Sequence, residues 1–274
     1  MSEVLQVSKS GYYRWLKNKS YLDSSSSILD DKIKSVFQHS EQTYGSPRVW
    51  EVLHGEGFTV SESTVARRMR LLALTPEKKK KYKHTTDSKH DLPIAPNILN
   101  RKFEVAQLGR VWVSDITYIR IKHRFVYLTT VIDLADRMVV GWTLSDNMTD
   151  KDTVITAFEK ALSNRPIQKG LIFHSDRGSQ YAGKDFRALL GENHCIQSMS
   201  RKGNCWDNAV AESFSKTIKS ESLNRYEFEN IQQVYSVVFR YIDGWYNTIR
   251  IHSALGGKSP RQIAVQLSGK KRAA

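Results

Sequence analysis

The sequence is poor in cysteine and contains no long apolar run. Only Cys195 and Cys205 are cysteines among its 274 residues, too few for a zinc site by themselves or for a disulfide framework. No stretch of 18 or more uncharged apolar residues occurs, and the first residues lack the basic-then-apolar order of a signal peptide. We therefore expect a cytoplasmic protein with reduced thiols and no membrane partner.

Acidic residues are scarce relative to basic ones. There are 42 Lys+Arg against 28 Asp+Glu, so the formal net charge is +14. The excess is even, because the residues up to Arg110 include 19 basic and 12 acidic side chains and the rest include 23 and 16. This distribution excludes a basic tail on a neutral enzyme. Nucleic acid is the usual partner for such a charge, and simple solubility is the alternative.

Residues 1–74 are predicted to form a helical DNA-binding region. Ser46 followed by Pro47 suits the start of a helix, and two glycines interrupt that helix before Ser61 caps a second one. Residues 46–72 therefore have the layout of a helix-turn-helix unit, whose second helix enters the major groove. The alternative is a helical hairpin with a solvated basic face. The candidate DNA contacts on the second helix are Arg67, Arg68 and Arg70.

Residues 75–104 are predicted to be a basic linker. Lys78 to Lys81 form a basic run, and Pro93 and Pro96 bracket a short apolar pair. This composition is typical of a linker rather than of a packed element. The lysines are either solvated or follow a phosphate backbone.

From Val111 the pattern changes to that of a β-sheet. Both faces of residues 111–121 are largely apolar, which predicts a central strand. The predicted strands cover residues 111–121, 125–134, 138–144, 171–173 and 195–199. Helices are predicted after the third, fourth and fifth strands. This order predicts an α/β fold over residues 105–224, with a mixed five-stranded sheet and helices on both faces, as in ribonuclease H-like nucleases.

Residues 225–274 are predicted to be a helical C-terminal extension. Apolar side chains recur at helical spacing from Ile231 to Trp245, which predicts a helix of about four turns with one continuous apolar face. Packing of this face on the preceding domain is favoured, and a partner subunit is the alternative.

Three carboxylates are candidates for one site. Asp115 interrupts an apolar strand, and a buried charge is costly unless it is paired or bound to metal. Asp176 ends the fourth strand, and Glu212 lies on the helix that begins near Asn208, with Lys219 on the same helical face. Asp133, at the end of the second strand, is the best rival for the third carboxylate.

Oxygen ligands without a Cys or His cluster suit a hard cation, Mg²⁺ or Mn²⁺. In phosphodiester chemistry two such ions act together, one on the attacking oxygen and one on the leaving oxygen. Asp115, Asp176 and Glu212 are therefore predicted to hold two ions of this kind. Salt bridges, capped strand ends and a solvated helix face are the structural alternatives.

The chain resembles the integrase-core transposases of bacterial insertion sequences, in particular the second-reading-frame product of two-frame elements, which are related to retroviral integrases. The resemblance runs in order from about residue 5 to 265, and 35 residues separate Asp176 from Glu212. The matching segments are Tyr44-Gly45-Ser46-Pro47-Arg48, Val113-Ser114-Asp115-Ile116-Thr117-Tyr118-Ile119, His174-Ser175-Asp176-Arg177-Gly178-Ser179-Gln180-Tyr181, Ser198 to Ala209, Glu212-Ser213-Phe214, Tyr246-Asn247, Arg250, His252 and Ser259-Pro260.

The resemblance implies a function. Asp115, Asp176 and Glu212 resemble the metal-binding DDE triad, and Lys219 matches the basic residue that contacts the element's terminal DNA. Members of the family nick the element end and use the new 3′-hydroxyl to attack a second phosphodiester. The implied partners are the terminal inverted repeats, target DNA, further copies of the chain and an upstream-frame protein or fusion. The implied location is the bacterial cytoplasm, in association with the nucleoid.

Other residues near the predicted catalytic edge have open roles. Asn208 is a DNA contact or a helix cap, and Arg177, Arg201 and Lys202 are candidate phosphate contacts. Trp206 either stacks on an unpaired base or packs, and packing is favoured. Scaffolding is favoured for His174. A nuclease without strand transfer and a non-catalytic DNA-binding regulator are the two competing functions.

Overall fold

The computed structural model describes residues 8–76, 91–122 and 124–270, and within them the side chains of residues 15–27 and 270 are not described. The chain divides into two compact units, Met1–Glu77 and Lys78–Ala274. Among the helices described, none is long and apolar enough to span a bilayer. The basic run Lys78 to Lys81 falls outside the described residues.

The first unit is helical, with α1 at Lys9–His39, α2 at Ser46–Gly55 and α3 at Glu62–Leu71. Gly45 rather than Ser46 is the N-cap of α2, and Pro47 lies in its first turn, where no intrahelical N–H bond is lost. Ser61 caps α3 as predicted, because its hydroxyl accepts from the amide of Thr64 at 3.2 Å. The buried apolar side chains are Ile33, Val36, Phe37, Val49, Leu53, Val65 and Met69.

A mixed five-stranded sheet forms the centre of the second unit, as the pattern of residues predicted. Its strands are β1 (Val111–Ile121), β2 (Arg124–Asp133), β3 (Val139–Ser145), β4 (Ile172–Ser175) and β5 (Ile196–Met199). They lie in the order β3-β2-β1-β4-β5. The first three strands are antiparallel, and β4 and β5 run parallel to β1. The strand with two apolar faces, β1, is therefore central.

Helices cover both faces of the sheet. The helices of this unit are α4 (Thr156–Asn164), α5 (Ser179–Ala182), α6 (Lys184–Glu192), α7 (Ala209–Glu221), α8 (Ile231–Phe239) and α9 (Pro260–Lys270). Trp112 packs edge-to-face on Phe158 of α4, with ring centroids 5.9 Å apart. Asp115 has the opposite parity on β1 and bonds to Ser215 of α7, so α4 and α7 lie on opposite faces.

The crossing of α4 over β3 depends on a glycine. A Cβ atom at Gly141 would overlap the carbonyl oxygen of Ala157. Only a residue without a side chain lets the helix approach the strand this closely. This close contact helps to form the core around Trp112, Phe158, Phe173 and Phe186.

The C-terminal extension packs on the rest of the second unit. Val234, Val238, Ile242 and Trp245 are buried, as favoured from their spacing. The predicted four-turn helix is instead α8 followed by a π-helical segment at Arg240–Tyr246. The π-helical segment changes the helical register. Tyr235, which lies in α8 before this segment, is 49 % exposed although it belongs to the predicted apolar face.

Two polar contacts tie the extension to the sheet and to α7. The Asn247 side chain exchanges two hydrogen bonds of 3.0 Å with the backbone of Val139. Glu221, at the end of α7, accepts from the Arg250 guanidinium at 2.7 and 2.8 Å and from the Tyr241 hydroxyl at 2.7 Å. The position of α7 therefore depends on residues well beyond it in the chain.

The second half of the predicted linker contacts the sheet. The Ser198 hydroxyl on β5 accepts from the amides of Ile98 and Leu99 at 2.9 and 3.1 Å, and Leu99 is buried. Residues 77–90 of the predicted linker lie outside the described residues.

Candidate active site

Asp115 and Asp176 are brought to the same edge of the sheet by parallel strand pairing. Val113 on β1 lies opposite His174 on β4, and continuing this register by two residues places Asp115 opposite Asp176. Asp176 follows the last residue of β4 and accepts a hydrogen bond from the amide of Gly178 at 2.9 Å. The two carboxylates therefore lie beside each other, Asp176 just past the carboxyl end of β4 and Asp115 within the neighbouring parallel strand β1.

The third carboxylate comes from α7, which packs on the same face. Ser215 on α7 donates a hydrogen bond of 2.7 Å to Oδ2 of Asp115. Glu212 lies three residues before Ser215 and Lys219 four residues after it, so all three share one face of the helix. We call Asp115, Asp176 and Glu212, the three residues predicted to be catalytic, the catalytic edge.

Electrostatics connect these side chains. The pKa of Asp115 is raised to about 7, first by burial and then by the negative charge of Asp176, with a smaller contribution from Glu212. The Ser215 hydrogen bond and the positive charge of Lys219 oppose the rise. Burial lowers the pKa of Lys219, and Asp115 opposes that shift. The ionised edge therefore has mutual repulsion that a cation would relieve.

The carboxylates do not form a closed metal site. Among the residues that the structure describes, no group of three or more His, Cys, Asp or Glu side chains is arranged to hold an ion. Glu212 instead pairs with Lys216, one turn further along α7, at 3.3 Å. Its side chain is 24 % exposed and Lys216 is 61 % exposed, so this ion pair contributes little to stability.

Asn208 anchors the start of α7 to β1. It is 2 % exposed, and its amide nitrogen donates to the carbonyl oxygen of Ser114, next to Asp115, at 2.9 Å. It occupies the N-cap position but makes no side-chain cap bond. Its Oδ1 atom is buried without a hydrogen-bond partner. Asn208 therefore orients the helix that carries Glu212.

Asp207 anchors the loop before that helix. This carboxylate is fully buried and accepts from the Arg201 guanidinium at two distances of 2.8 Å, from Arg101 at 2.8 Å and from Asn97 at 2.9 Å. The Arg201 hydrogen bond is the main reason that the pKa of Asp207 is held well below its usual range. Arg201 thus has a structural partner, although its side chain is still 50 % exposed.

Asp133 is not part of the catalytic edge. It is fully buried and accepts four hydrogen bonds. The donors are the backbone amides of Gly109 (2.7 Å) and Ala135 (3.0 Å), the indole of Trp112 (3.1 Å) and the Arg165 guanidinium (2.9 Å). These donors satisfy the carboxylate. The rival third carboxylate of the sequence is therefore a structural residue.

His174 has the scaffolding role that was favoured. It is fully buried, and its ring nitrogens bond to the hydroxyls of Ser198 at 2.9 Å and Ser200 at 3.3 Å. Burial lowers its pKa to about 4. A neutral imidazole between two serines links β4 to β5 below the catalytic edge.

Comparison with known proteins identifies the family. A model described as an integrase core domain matches residues 106–205, a second integrase core model matches residues 193–260, and an HTH-like domain model matches residues 26–82. The insertion element IS600 uncharacterized 31 kDa protein of Shigella sonnei is 40 % identical over 261 residues, covering 95 % of this chain and 96 % of that protein. Transposase InsF for insertion sequence IS3A of Escherichia coli K12 is 35 % identical, covering 96 % and 92 %. The chain belongs to the insertion-sequence transposases with an integrase core.

A further relative and one solved structure are also similar to this chain. The transposase for insertion sequence element IS904 of Lactococcus lactis is 40 % identical over 237 residues, which cover 86 % of this chain and 93 % of that one. The catalytic core domain of HTLV-2 integrase, solved in complex with magnesium, is 19 % identical with a TM-score of 0.44, covering 57 % of this chain and 97 % of that chain. At this score the structural likeness carries no argument about chemistry.

The basic helix of this transposase presents two of its three candidate DNA contacts. Arg67 and Arg70 are exposed on α3. Arg68 instead bonds to both carboxylate oxygens of Asp30 on α1, with its Nε atom 2.6 Å from Oδ1. Arg68 therefore contributes to the packing of α3 on α1, and Arg67 and Arg70 remain candidate DNA contacts.

The remaining candidate DNA contacts of the transposase differ in their hydrogen bonding and exposure. Arg177 donates to the carbonyl oxygen of Ser200 at 2.7 Å, whereas Lys202 is exposed. Trp206 is 69 % exposed, so the favoured packing role is wrong.

Sequence reasoning missed two residues of the transposase site. Ser215 lies on the same helical face as Glu212 and Lys219, and that spacing was the signal for it. Asp207 gave no such signal, because its partners Arg101 and Asn97 lie more than 100 residues earlier in the chain.

Proposed function

We propose that this transposase catalyses Mg²⁺-dependent nicking at the 3′ ends of its element and transfer of the new ends to a second phosphodiester. The observation that carries the proposal is the position of Asp115. It interrupts the apolar central strand, bonds to Ser215 and lies within electrostatic reach of Asp176 and Glu212. Among the described residues, no arginine or lysine forms a salt bridge with it.

The residues of the catalytic edge fit a hard divalent cation. All three donors are carboxylates, and the charges of Asp176 and Glu212 already raise the pKa of Asp115. Asp115, Asp176 and Glu212 would hold the metal, and Glu212 would exchange Lys216 for it. The chemistry that a divalent cation would supply there is activation of the attacking oxygen and stabilisation of the leaving oxygen.

The other side chains position the reacting groups. Ser215 fixes the rotamer of Asp115 through its 2.7 Å hydrogen bond, and Asn208 fixes the start of α7. Lys219, on the same helical face, offers a cation to a phosphate of the element end. A positioned phosphodiester beside oriented carboxylates lowers the entropic part of the barrier.

DNA is the substrate, and it also binds the first unit. Arg67 and Arg70 on the exposed side of α3 are placed to contact it, and Lys202 adds a cation on the loop before α7. Two element ends must be held at once for strand transfer, so we propose that several copies of the chain act together on DNA, with or without an upstream-frame fusion.

A strand-transfer assay tests the proposal. A labelled duplex with the element's terminal inverted repeat and an unlabelled acceptor duplex are incubated with the full chain and MgCl₂. We expect joined products from the wild type and none above background from Asp115→Asn or Glu212→Gln, while both variants bind the labelled end about as tightly as wild type. Asp185→Asn, an exposed carboxylate on α6, is the matched control and should join normally.

The assay separates the competing functions. Cleaved strands without joined products would identify a nuclease. DNA binding with no metal-dependent product, unchanged in all variants, would identify a regulator. Wild-type joining by Asp115→Asn would overturn the role of the catalytic edge.

A further inference from the structure

The side chain of Trp206 is exposed to solvent, and no feature of the fold described above requires this exposure. Of the five tryptophans whose side chains the structure describes, it alone is exposed, at 69 %. It lies in a one-turn 3₁₀ helix at Cys205–Asn208, directly before α7. A large aromatic side chain left in water forgoes the free energy of burial, so its position needs a physical reason.

Loose anchoring does not explain the exposure. The next residue, Asp207, is fully buried and bonded to Arg201, Arg101 and Asn97. The residue after it, Asn208, bonds to the Ser114 carbonyl. Two consecutive buried side chains therefore fix the backbone that carries Trp206, and the indole is held outward from a rigid turn.

The surroundings are cationic and close to the catalytic edge. Arg201 is 50 % exposed and Lys202 is exposed on the same loop. Asn208, two residues after Trp206, contacts the residue next to Asp115, and Glu212 follows one turn later on α7. An aromatic face among cations is the arrangement with which proteins bind single-stranded nucleic acid, because bases stack on the ring while cations contact phosphates.

We propose that Trp206 stacks on an unpaired base at the element's DNA end and so positions the neighbouring phosphodiester at the catalytic edge. The inference rests on the proposed function, since it takes the element end as the ligand. Trp206 is a positioning residue, and it recognises an unpaired base through its π-face rather than through its hydrogen-bonding edge. Pairing near the scissile bond must therefore open before the base reaches the ring.

An abasic scan tests the stacking directly. Duplexes with the terminal inverted repeat are made with one abasic nucleotide at each position near the cleavage site in turn. Their dissociation constants are measured at fixed salt without divalent metal, for the wild type, Trp206→Phe and Trp206→Ala. Phe239→Ala, which removes a 53 % exposed aromatic ring on α8, is the matched control.

We expect one abasic position to weaken wild-type binding by about 10-fold, the range of one base stacked on an aromatic ring. In Trp206→Ala that same position should have no further effect, and binding to the intact end should already be about 10-fold weaker. Trp206→Phe should keep most of the effect, and Phe239→Ala all of it.

Two results would overturn the proposal. The first is equal sensitivity of wild type and Trp206→Ala to every abasic position. The second is a change of oligomeric mass in Trp206→Ala with unchanged DNA affinity, which would assign the indole to a protein contact. Failure of the proposed function would give a different result from failure of the stacking proposal. In that case the abasic scan would still show the stacking, but the wild-type chain would form no joined product with Mg²⁺.

Discussion

Two groups of carboxylates in the second unit have opposite surroundings. At the catalytic edge, Asp115 lies near Asp176 and Glu212, and its pKa is raised to about 7 by burial and by their charges. In the other group, Asp133 and Asp136 are fully buried, and Arg165 forms salt bridges with both at 2.9 and 2.7 Å. We call Asp133, Asp136 and Arg165 the arginine-paired cluster.

The comparison teaches that burial of a carboxylate does not by itself indicate catalysis. Burial also raises the pKa of Asp136, although Arg165 opposes the rise. The difference lies in the counter-ion. The Arg165 guanidinium forms salt bridges with both carboxylates of the arginine-paired cluster. Asp115 instead has the hydroxyl of Ser215 and the more distant Lys219. A carboxylate such as Asp115, which forms no salt bridge with a described lysine or arginine, is suited to bind a cation.

The largest expected effect is the loss of Arg165. Arg165→Met leaves two buried carboxylates without their cation, so the free energy of unfolding should fall by about 3–5 kcal/mol. Urea denaturation at pH 7 measures it. Lys219→Met is the matched variant at the catalytic edge. It should lower the free energy of unfolding much less, because Lys219 forms no salt bridge with Asp115 in the described structure. Equal losses in the two variants would remove the distinction between the groups.

A smaller loss is expected at Asp207, an arginine-paired carboxylate beside the catalytic edge. Asp207→Asn breaks the charged bonds to Arg201 and Arg101, and we expect a loss of about 2–4 kcal/mol at pH 7. Its folded pKa lies below the ordinary value of 3.8, so its stabilisation is present above pH 4 and is lost as the pH falls further. Urea midpoints at pH 7 and pH 3 test this.

The control for Asp207 is Asp185→Asn, which changes an exposed carboxylate on α6. It should alter the free energy of unfolding by less than about 0.5 kcal/mol at either pH. A deficit of Asp207→Asn that stays constant down to pH 3 would contradict the role of the arginine pairing.

The sheet and the candidate catalytic residues could be predicted from the sequence because their signals are local. The doubly apolar strand containing Asp115 gave the central strand, and helical spacing gave the shared face of Glu212 and Lys219. The structural role of Asp133 could not be predicted, because its cation, Arg165, lies 32 residues away in sequence. Burial of Asn208 was equally hidden, since it depends on a bond to Ser114 across 94 residues.

The exposure of Trp206 was predicted wrongly for a related reason. Apolar content favours packing for any tryptophan, and a sequence does not reveal that the two residues directly after Trp206, Asp207 and Asn208, take the buried positions. Polar contacts to residues distant in sequence, Asn97, Arg101 and Ser114, fix the conformation of this loop. Amino-acid composition does not reveal such contacts.

Binding of metal should separate the two carboxylate groups. At a Mg²⁺ concentration 100 times its dissociation constant, the free energy of unfolding of the wild type should rise by about 2.7 kcal/mol, and EDTA should reverse the rise. Asp115→Asn should lose most of this increment. Asp136→Asn should keep it although its stability is lower, because the arginine-paired cluster takes no metal. The same increment in both variants would refute the assignment of the metal to the catalytic edge.

The smallest expected effect belongs to Ser215, which orients Asp115 through a single hydrogen bond. Ser215→Ala removes the 2.7 Å hydrogen bond and frees the rotamer of Asp115, so Mg²⁺ affinity should fall by about 10-fold, or about 1.4 kcal/mol. Ser213→Ala, an exposed serine on the same helix, should leave the affinity unchanged. Isothermal titration with MgCl₂ distinguishes them, and two indistinguishable variants would mean that Asp115 holds its position without Ser215. A difference confined to Ser215 would show that α7 supplies not only Glu212 but also the orientation of the carboxylate on the strand beneath it.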